Sequence, residues 1–174
     1  MPHEIDLLED EFPADGGLQE RFRAAMRGTA SGVAVLATDG SAGRAGVTVS
    51  TLCSLSLEPP SVIACVHRDS RALGRIMSNE VFAANVLAED QREIAEIFAE
   101  PNLGFDIRFA LGEWQTLSTG APVLEGAIAS FDCRLASTFD FGSHRILIGE
   151  VVELAARQTT PLVYSGRMFQ RIRA

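Results

Sequence analysis

The chain has no lysine: all 15 of its basic residues are arginine, set against 23 acids. Without a lysine amine no Schiff base can form, so lysine-anchored pyridoxal phosphate is excluded. A Walker A loop is excluded with it, because that loop grips phosphate through its lysine. There is no Gly-x-Gly-x-x-Gly fingerprint either, so any nucleotide is held by a route other than the Rossmann turn. Cysteine is scarce: Cys53, Cys65 and Cys133 are an odd set without a Cys-x-x-Cys pair, which argues against a metal centre or a disulfide framework. Two of the three lie in apolar stretches and are expected as buried small hydrophobes. Long apolar runs are missing too. The longest, such as residues 62–66, fall far short of the ~20 residues a membrane helix needs. The net charge of −8 weighs against a duplex-binding protein, which usually shows a basic face. The first residues lack the basic opening and apolar stretch of a signal peptide. These absences together predict a cytoplasmic protein that binds neither membrane nor nucleic acid.

The 174 residues suit one domain, and a domain of that size buries roughly 70% of its unfolded surface without a disulfide or metal staple. Glu4, Asp6, Glu9, Asp10, Glu11 and Asp15 carry most of the negative charge, and no arginine accompanies them. Residues 1–17 therefore read as an acidic, flexible N-terminal tail ending at Gly16-Gly17, and residues 18–174 as the domain. In the domain, Leu18, Phe22, Ala25 and Met26 share one face of a helix closed by Gly28. Residues 31–38 and 45–51 read as a hairpin joined by a loop longer than two residues. The run 61–67 is nearly continuous in apolar residues, which predicts a strand buried on both faces. Before it, Glu58-Pro59-Pro60 is expected to stop any ladder, because proline cannot donate. Short helices are expected from Ser70 as N-cap and from an Asp90/Glu93 capping box ended by Pro101. Residues 102–122 read as irregular. The rest is strand, over residues 81–87, 127–137 and 146–154. Strands outnumber helices and do not alternate with them, so the fold class is mainly β (β-rich α+β): an antiparallel barrel with a few covering helices.

Two stretches could carry chemistry. In Gly46–Pro60, Thr48, Ser50, Thr51 and Ser54 leave a wall with little side-chain bulk and many backbone N–H groups, against which a flat, polar-edged ring could lie. A strand whose hydroxyls satisfy one another would look the same. Further on, Arg68, Ser70, Arg71 and Arg75 combine a helix N-cap with arginines spaced to share one face, a pattern that suits phosphate. A solvated charged face would also produce it. His144 taken alone reads equally as a structural histidine.

The order of motifs resembles the flavin reductase-like proteins, the small split-barrel reductases that serve two-component monooxygenases. The residues that carry the resemblance are GVTVSTLCSLSLEPPSVIACV, RDSRAL, VFAANVLAEDQREIAEIFA, RFALGEW, GAPVLEGAIASFDCRL, GSHRILIGEV and PLVYSGRMF, in that order, over residues 20–171. The resemblance implies an FMN-binding antiparallel split β-barrel that works as a homodimer. It implies FMN or FAD as flavin, NADH or NADPH as hydride donor, and a flavin-dependent monooxygenase as partner. On it, Thr48, Val49, Ser50, Thr51, Cys53 and Ser54 line the flavin, while Ser70, Arg71 and Arg75 form the phosphate turn. His144 would stand at the nicotinamide as the catalytic residue, and Tyr164 and Ser165 would help bind the dinucleotide. Two departures bear on this: Ser143 stands where the family commonly has aspartate, and the ending around Gly166 is one residue short and lacks an arginine before that glycine. Alternatives within the same resemblance are an FMN-bound reductase of another acceptor, such as a cob(II)yrinate-type corrinoid, and a non-catalytic FMN- or haem-binding module.

Overall fold

A computed structural model describes residues 16–172. The acidic segment expected as a flexible tail lies, apart from Gly16 and Gly17, outside the described residues. The first helix, α1 (Leu18–Arg27), starts after Gly17 and stops at Gly28 as its periodicity predicts. None of its residues is buried, however, and Leu18, Phe22 and Met26 all face solvent. Its apolar stripe is left mostly uncovered by the described residues of its own chain.

Strands follow in quick succession: β1 (Ser31–Gly32), β2 (Ala34–Thr38), β3 (Ala45–Val49), β4 (Cys53–Leu57) and β5 (Pro60–His67). The β2–β3 hairpin has the expected long loop. The two prolines do not end the pairing but turn it. Glu58 and Pro59, joined by a cis bond, form the bend, and Pro60 opens β5 opposite Leu57, a first-residue position where no ladder N–H is required. Helix α2 (Arg71–Asn79) begins after Ser70, and β6 (Val81–Val86) follows it. The expected capping box is replaced by a 3-10 turn at Glu89–Gln91, where the Gln91 side chain accepts the Ala88 N–H at 3.0 Å ahead of α3 (Arg92–Ala99). Residues 102–122 are more ordered than their composition suggests, with α4 (Phe105–Phe109) and β7 (Trp114–Thr116), which pairs with β8 (Pro122–Leu124). The long β9 (Ala129–Phe141) and β10 (His144–Ala156) and the closing hairpin β11 (Val163–Ser165) and β12 (Met168–Gln170) complete the chain.

Seven strands form one antiparallel sheet in the order β3-β2-β6-β9-β10-β5-β4. The sheet curls so that the chain just after β3 returns to β5. There the Thr51 hydroxyl accepts the Cys65 N–H and donates to the Cys65 carbonyl, each at 3.0 Å. A side chain thus ties the barrel where a ladder would otherwise close it. Inside lie Leu36, Val62, Ala64, Val66, Phe82 and Leu147, with Ile76 of α2 as the plug. On the outer face, α3 and α4 press Phe98, Phe105 and Phe109 onto Val35 and Ala37. Closeness is bought with glycine: a Cβ on Gly46 would stand 2.6 Å from the Phe98 ring, and one on Gly149 2.5 Å from Phe82. In β5 Ser61, Val62, Ala64 and Val66 are buried, while Ile63 and Cys65 are partly exposed. The outward face of that strand is only partly covered, so its apolar run does not mean burial on both sides. Among the described residues no helix is long and apolar enough to cross a membrane.

Candidate active site

The wall predicted at residues 48–51 is the meeting place of several clefts. Thr48, Val49, Ser50 and Thr51 line a 220 Å³ recess together with His67, Ser70 and His144. Thr48, Val49 and Ser50 also line a 580 Å³ cleft that reaches Tyr164 and Arg167 of the last hairpin. Ser50 and Thr51 continue into a 430 Å³ cleft with Tyr164, Ser165 and Arg27. Residues far apart in sequence therefore converge on one short segment: the histidine on one side, the C-terminal hairpin on the other. Two of the hydroxyls are spent internally, since Thr48 donates to the Ala95 carbonyl at 2.7 Å and Thr51 ties β5. Both bond main-chain groups and not each other, so the segment is not a strand whose hydroxyls satisfy one another. Cys53 and Ser54 do not join this gathering; they are exposed on the edge strand β4.

His144 stands at the first residue of β10, after a two-residue turn in which Gly142 takes the left-handed conformation (φ +56°). Ser143, which stands in the family's common aspartate position, places its Oγ 2.9 Å from His144 Nδ1. A hydroxyl can serve that nitrogen as donor or acceptor, whereas a carboxylate only accepts. Directly across the β5–β10 pairing lies His67, which the sequence alone did not single out as a site residue. The two rings meet edge to face, with centroids 5.1 Å apart. His67 Nδ1 accepts the Asp69 N–H at 3.2 Å, which leaves Nε2 to carry the ring proton in the neutral form.

At the turn expected to receive a phosphate, Ser70 precedes α2 but its side chain makes no capping bond. Ser70 and Arg71 line a 310 Å³ cleft walled by Phe98, Pro101, Phe105 and Arg108. Arg75 is not among the cleft residues; its guanidinium donates to the Arg44 carbonyl. Arg108 is only 4% exposed. Its Nε donates to Leu103 O (3.2 Å), its Nη1 to Gly46 O and Phe98 O (both 3.1 Å), and its Nη2 to Glu100 O. Burial, with the charge of Arg71, pulls the Arg108 pKa below its ordinary value, and Glu100 partly opposes this. The guanidinium carbons of Arg71, Arg75 and Arg108 lie 5.2, 4.8 and 5.0 Å from the centroid of Phe105. Among the described residues no ion pair joins any of the three to a carboxylate. Phe105 lies outside every motif, in a stretch that reads as irregular, while Arg108 opens the RFALGEW motif without being marked as a site residue. Cys133 stays outside the site: burial, reinforced by Asp132, pushes its thiol up to about 12, so it is inert at neutral pH.

What this geometry can hold is a ligand with a flat, polar-edged part against residues 48–51 and an anionic end toward Ser70 and Arg71. The chain belongs to the Flavin reductase like domain family, which it matches over residues 26–173. Among its relatives is the FMN reductase (NADH) RutF of Bradyrhizobium diazoefficiens, 39% identical over 166 residues that cover 95% of this chain and 88% of the relative. The corresponding RutF 1 protein of Methylorubrum extorquens is 40% identical over 87% of this chain and 75% of its own. The fold is similar to that of BorF, the flavin reductase component of a bacterial two-component tryptophan halogenase (TM-score 0.82, 29% identity, 88% of this chain and 98% of that one). It is equally close to the Streptomyces globisporus NADH:FAD oxidoreductase SgcE6, solved with NAD and FAD fragments (TM-score 0.82, 29% identity, 89% and 93% covered).

Proposed function

We propose that this chain is an NADH-dependent flavin reductase of the FMN type, working as a homodimer and supplying reduced flavin to a partner monooxygenase. The observation that carries this reading is the convergence of His144, Ser70 and Tyr164 on the single segment Thr48–Thr51. A flavin held there would supply the electron sink for a nicotinamide hydride, which is cofactor chemistry and needs no nucleophile from the protein. The chain's own task is to hold two rings in register and to exclude water. Ser50 and the backbone around it offer the flat wall. Ser70 and Arg71, backed by the buried charge of Arg108, favour a phosphate, and Arg can grip one bidentately. His144, with Nδ1 engaged by Ser143, keeps Nε2 for the nicotinamide side. Tyr164 and Ser165 flank the dinucleotide from the opposite hairpin.

The dimer rests on exposed apolar side chains. Leu18 and Phe22 of α1, Leu57 of the edge strand and Phe141 at the tip of β9 are between 65% and 86% exposed, an arrangement that a soluble protein usually covers. A second copy is the occupant that suits both this belt and the site, because Cys53 and Ser54 reach a flavin only if a neighbouring surface completes the edge at β4. The partner monooxygenase would take the place that the tryptophan halogenase has beside BorF, its flavin reductase component.

The direct test is anaerobic addition of NADH to protein loaded with FMN, followed by the visible flavin absorbance. Bleaching at a rate that saturates with NADH is the expected result, and a spectrum unmoved by NADH or NADPH sinks the proposal. His144→Ala should slow that bleaching roughly tenfold or more, the scale of a lost positioning or proton-handling group, while leaving the melting temperature unchanged. Wild-type rates in that variant would remove the histidine from the mechanism.

A further inference from the structure

Three guanidinium groups around one buried phenyl ring call for an explanation. Like charges gathered in a partly dry place repel, and a carboxylate would normally separate them. Here, among the described residues, the only group common to Arg71, Arg75 and Arg108 is Phe105, itself 6% exposed at the start of α4. Two of the cations are fixed by other bonds: Arg108 by the carbonyls of Leu103, Gly46, Phe98 and Glu100, and Arg75 by that of Arg44. Arg71 is different. It is exposed, lines the cleft beside Ser70, and no hydrogen bond of its guanidinium is present among the described residues. A free arginine samples many rotamers, and ordering it on a ligand costs conformational entropy. The face of an aromatic ring reduces that cost by attracting the planar cation beforehand.

We propose that Phe105 is a positioning residue that holds Arg71 over the cleft and so preorganises the anionic end of the flavin site for a phosphate. The proposal rests on the reading that the Ser70–Arg71 turn receives the flavin phosphate. It assigns a role in ligand selection to a residue of the 102–122 stretch that no motif marks. The ring contributes nothing to the isoalloxazine itself, so its influence falls on ligands that carry the phosphate. Arg108 serves as the fixed frame: its charge lies under the cleft but its donors are spent on carbonyls, leaving Arg71 as the mobile grip.

Fluorescence-quenching titrations with FMN and with riboflavin, which lacks the phosphate, separate these terms without any turnover. Wild type should bind FMN more tightly than riboflavin. Phe105→Leu should weaken FMN about fivefold or more, the size of a cation–π contact, and leave riboflavin unchanged. Phe105→Tyr, which keeps the ring, should restore the FMN value. Phe105→Met keeps the bulk without the ring and carries the same expectation as the leucine variant should that one fail to fold. In an Arg71→Gln background the loss of the ring should cost nothing further. Equal weakening of FMN and riboflavin in the ring-less variants, or no weakening, overturns the positioning role. Equal affinity of the wild type for the two ligands overturns the phosphate reading beneath it, and binding of neither overturns the flavin site as a whole.

Discussion

Around α4, Arg108 is enclosed by four main-chain carbonyls, and Phe109 packs edge to face on Phe98 and Trp114, which tilt against each other, with centroids 4.8–5.4 Å apart. Around α1, β4 and the β9–β10 tip, by contrast, the large apolar side chains face water, and the His144 turn is held by exposed groups. The anion end of the proposed site is finished within one chain; the ring end is left open. Such a division suits a ligand whose anionic end is gripped by one chain while its ring stays within reach of a second molecule.

The largest effect expected from disturbing this contrast comes from Arg108. Replacing it with methionine keeps the bulk but strips four carbonyls of their donor, and a buried acceptor left alone costs about 1–3 kcal/mol. Some of these carbonyls lie near the surface and can turn to water, so the whole should be roughly 3–5 kcal/mol, read as a fall in the urea midpoint without a change in slope. A loss below about 1 kcal/mol would mean that the closed end is not organised by this side chain, and the contrast between the two regions would fall.

The open end should respond in the opposite way. Phe22→Glu combined with Phe141→Glu places charge on two exposed rings, so the single chain loses almost no packing. Light scattering should show the wild type at twice the mass of the chain and the double variant shifted toward the single chain, with the dimer weakened tenfold or more, about 1.4 kcal/mol. Monomeric wild type would break the comparison outright. A double variant that unfolds instead would show that these rings belong to the chain's own core.

The uneven legibility of the sequence follows the same division. Periodicity in residues 18–28, 31–38 and 71–79 is a local property, and it located α1, β2 and α2 closely. The Thr48–Thr51 wall was legible from its small hydroxyl residues, His144 and Tyr164 from motif resemblance, and the clefts bring them together. His67 was not, because its partner His144 lies 77 positions further along the chain and only the antiparallel register of β5 and β10 joins them. Phe105, and the role of Arg108 within RFALGEW, escaped for another reason. The surroundings that define them, the carbonyls of Gly46 and Phe98 and the ring of one phenylalanine among ten, are main-chain and packing features that leave no pattern in composition. The proline pair misled in the other direction, since a strand can begin at a proline even where a ladder cannot pass through one.

The smallest effect concerns the hairpin that carries His144. Asp140 and Arg145 face each other across β9 and β10, and Arg145 donates from Nε and Nη2 to the two carboxylate oxygens at 2.6 Å each. The hydrogen bond from Arg145 holds the Asp140 carboxyl below its ordinary value; desolvation opposes this, and the charges of Arg145 and Arg68 add to the lowering. A carboxyl depressed in the folded state contributes stability above the unfolded carboxylate range, and that contribution fades as pH falls through the depressed value. Because the pair stands in water, salt should screen it, unlike anything at Arg108. An NMR titration of the Asp140 carboxyl should therefore find a midpoint below that of an ordinary aspartate at low salt, rising toward it at about 1 M salt, where the Debye length is roughly 3 Å. Arg145→Gln should produce the same rise at low salt and leave the urea midpoint at pH 7 nearly where it was. A titration indifferent to salt would mean that the His144 hairpin is shielded from solvent, and the open end would have to be redrawn as closed.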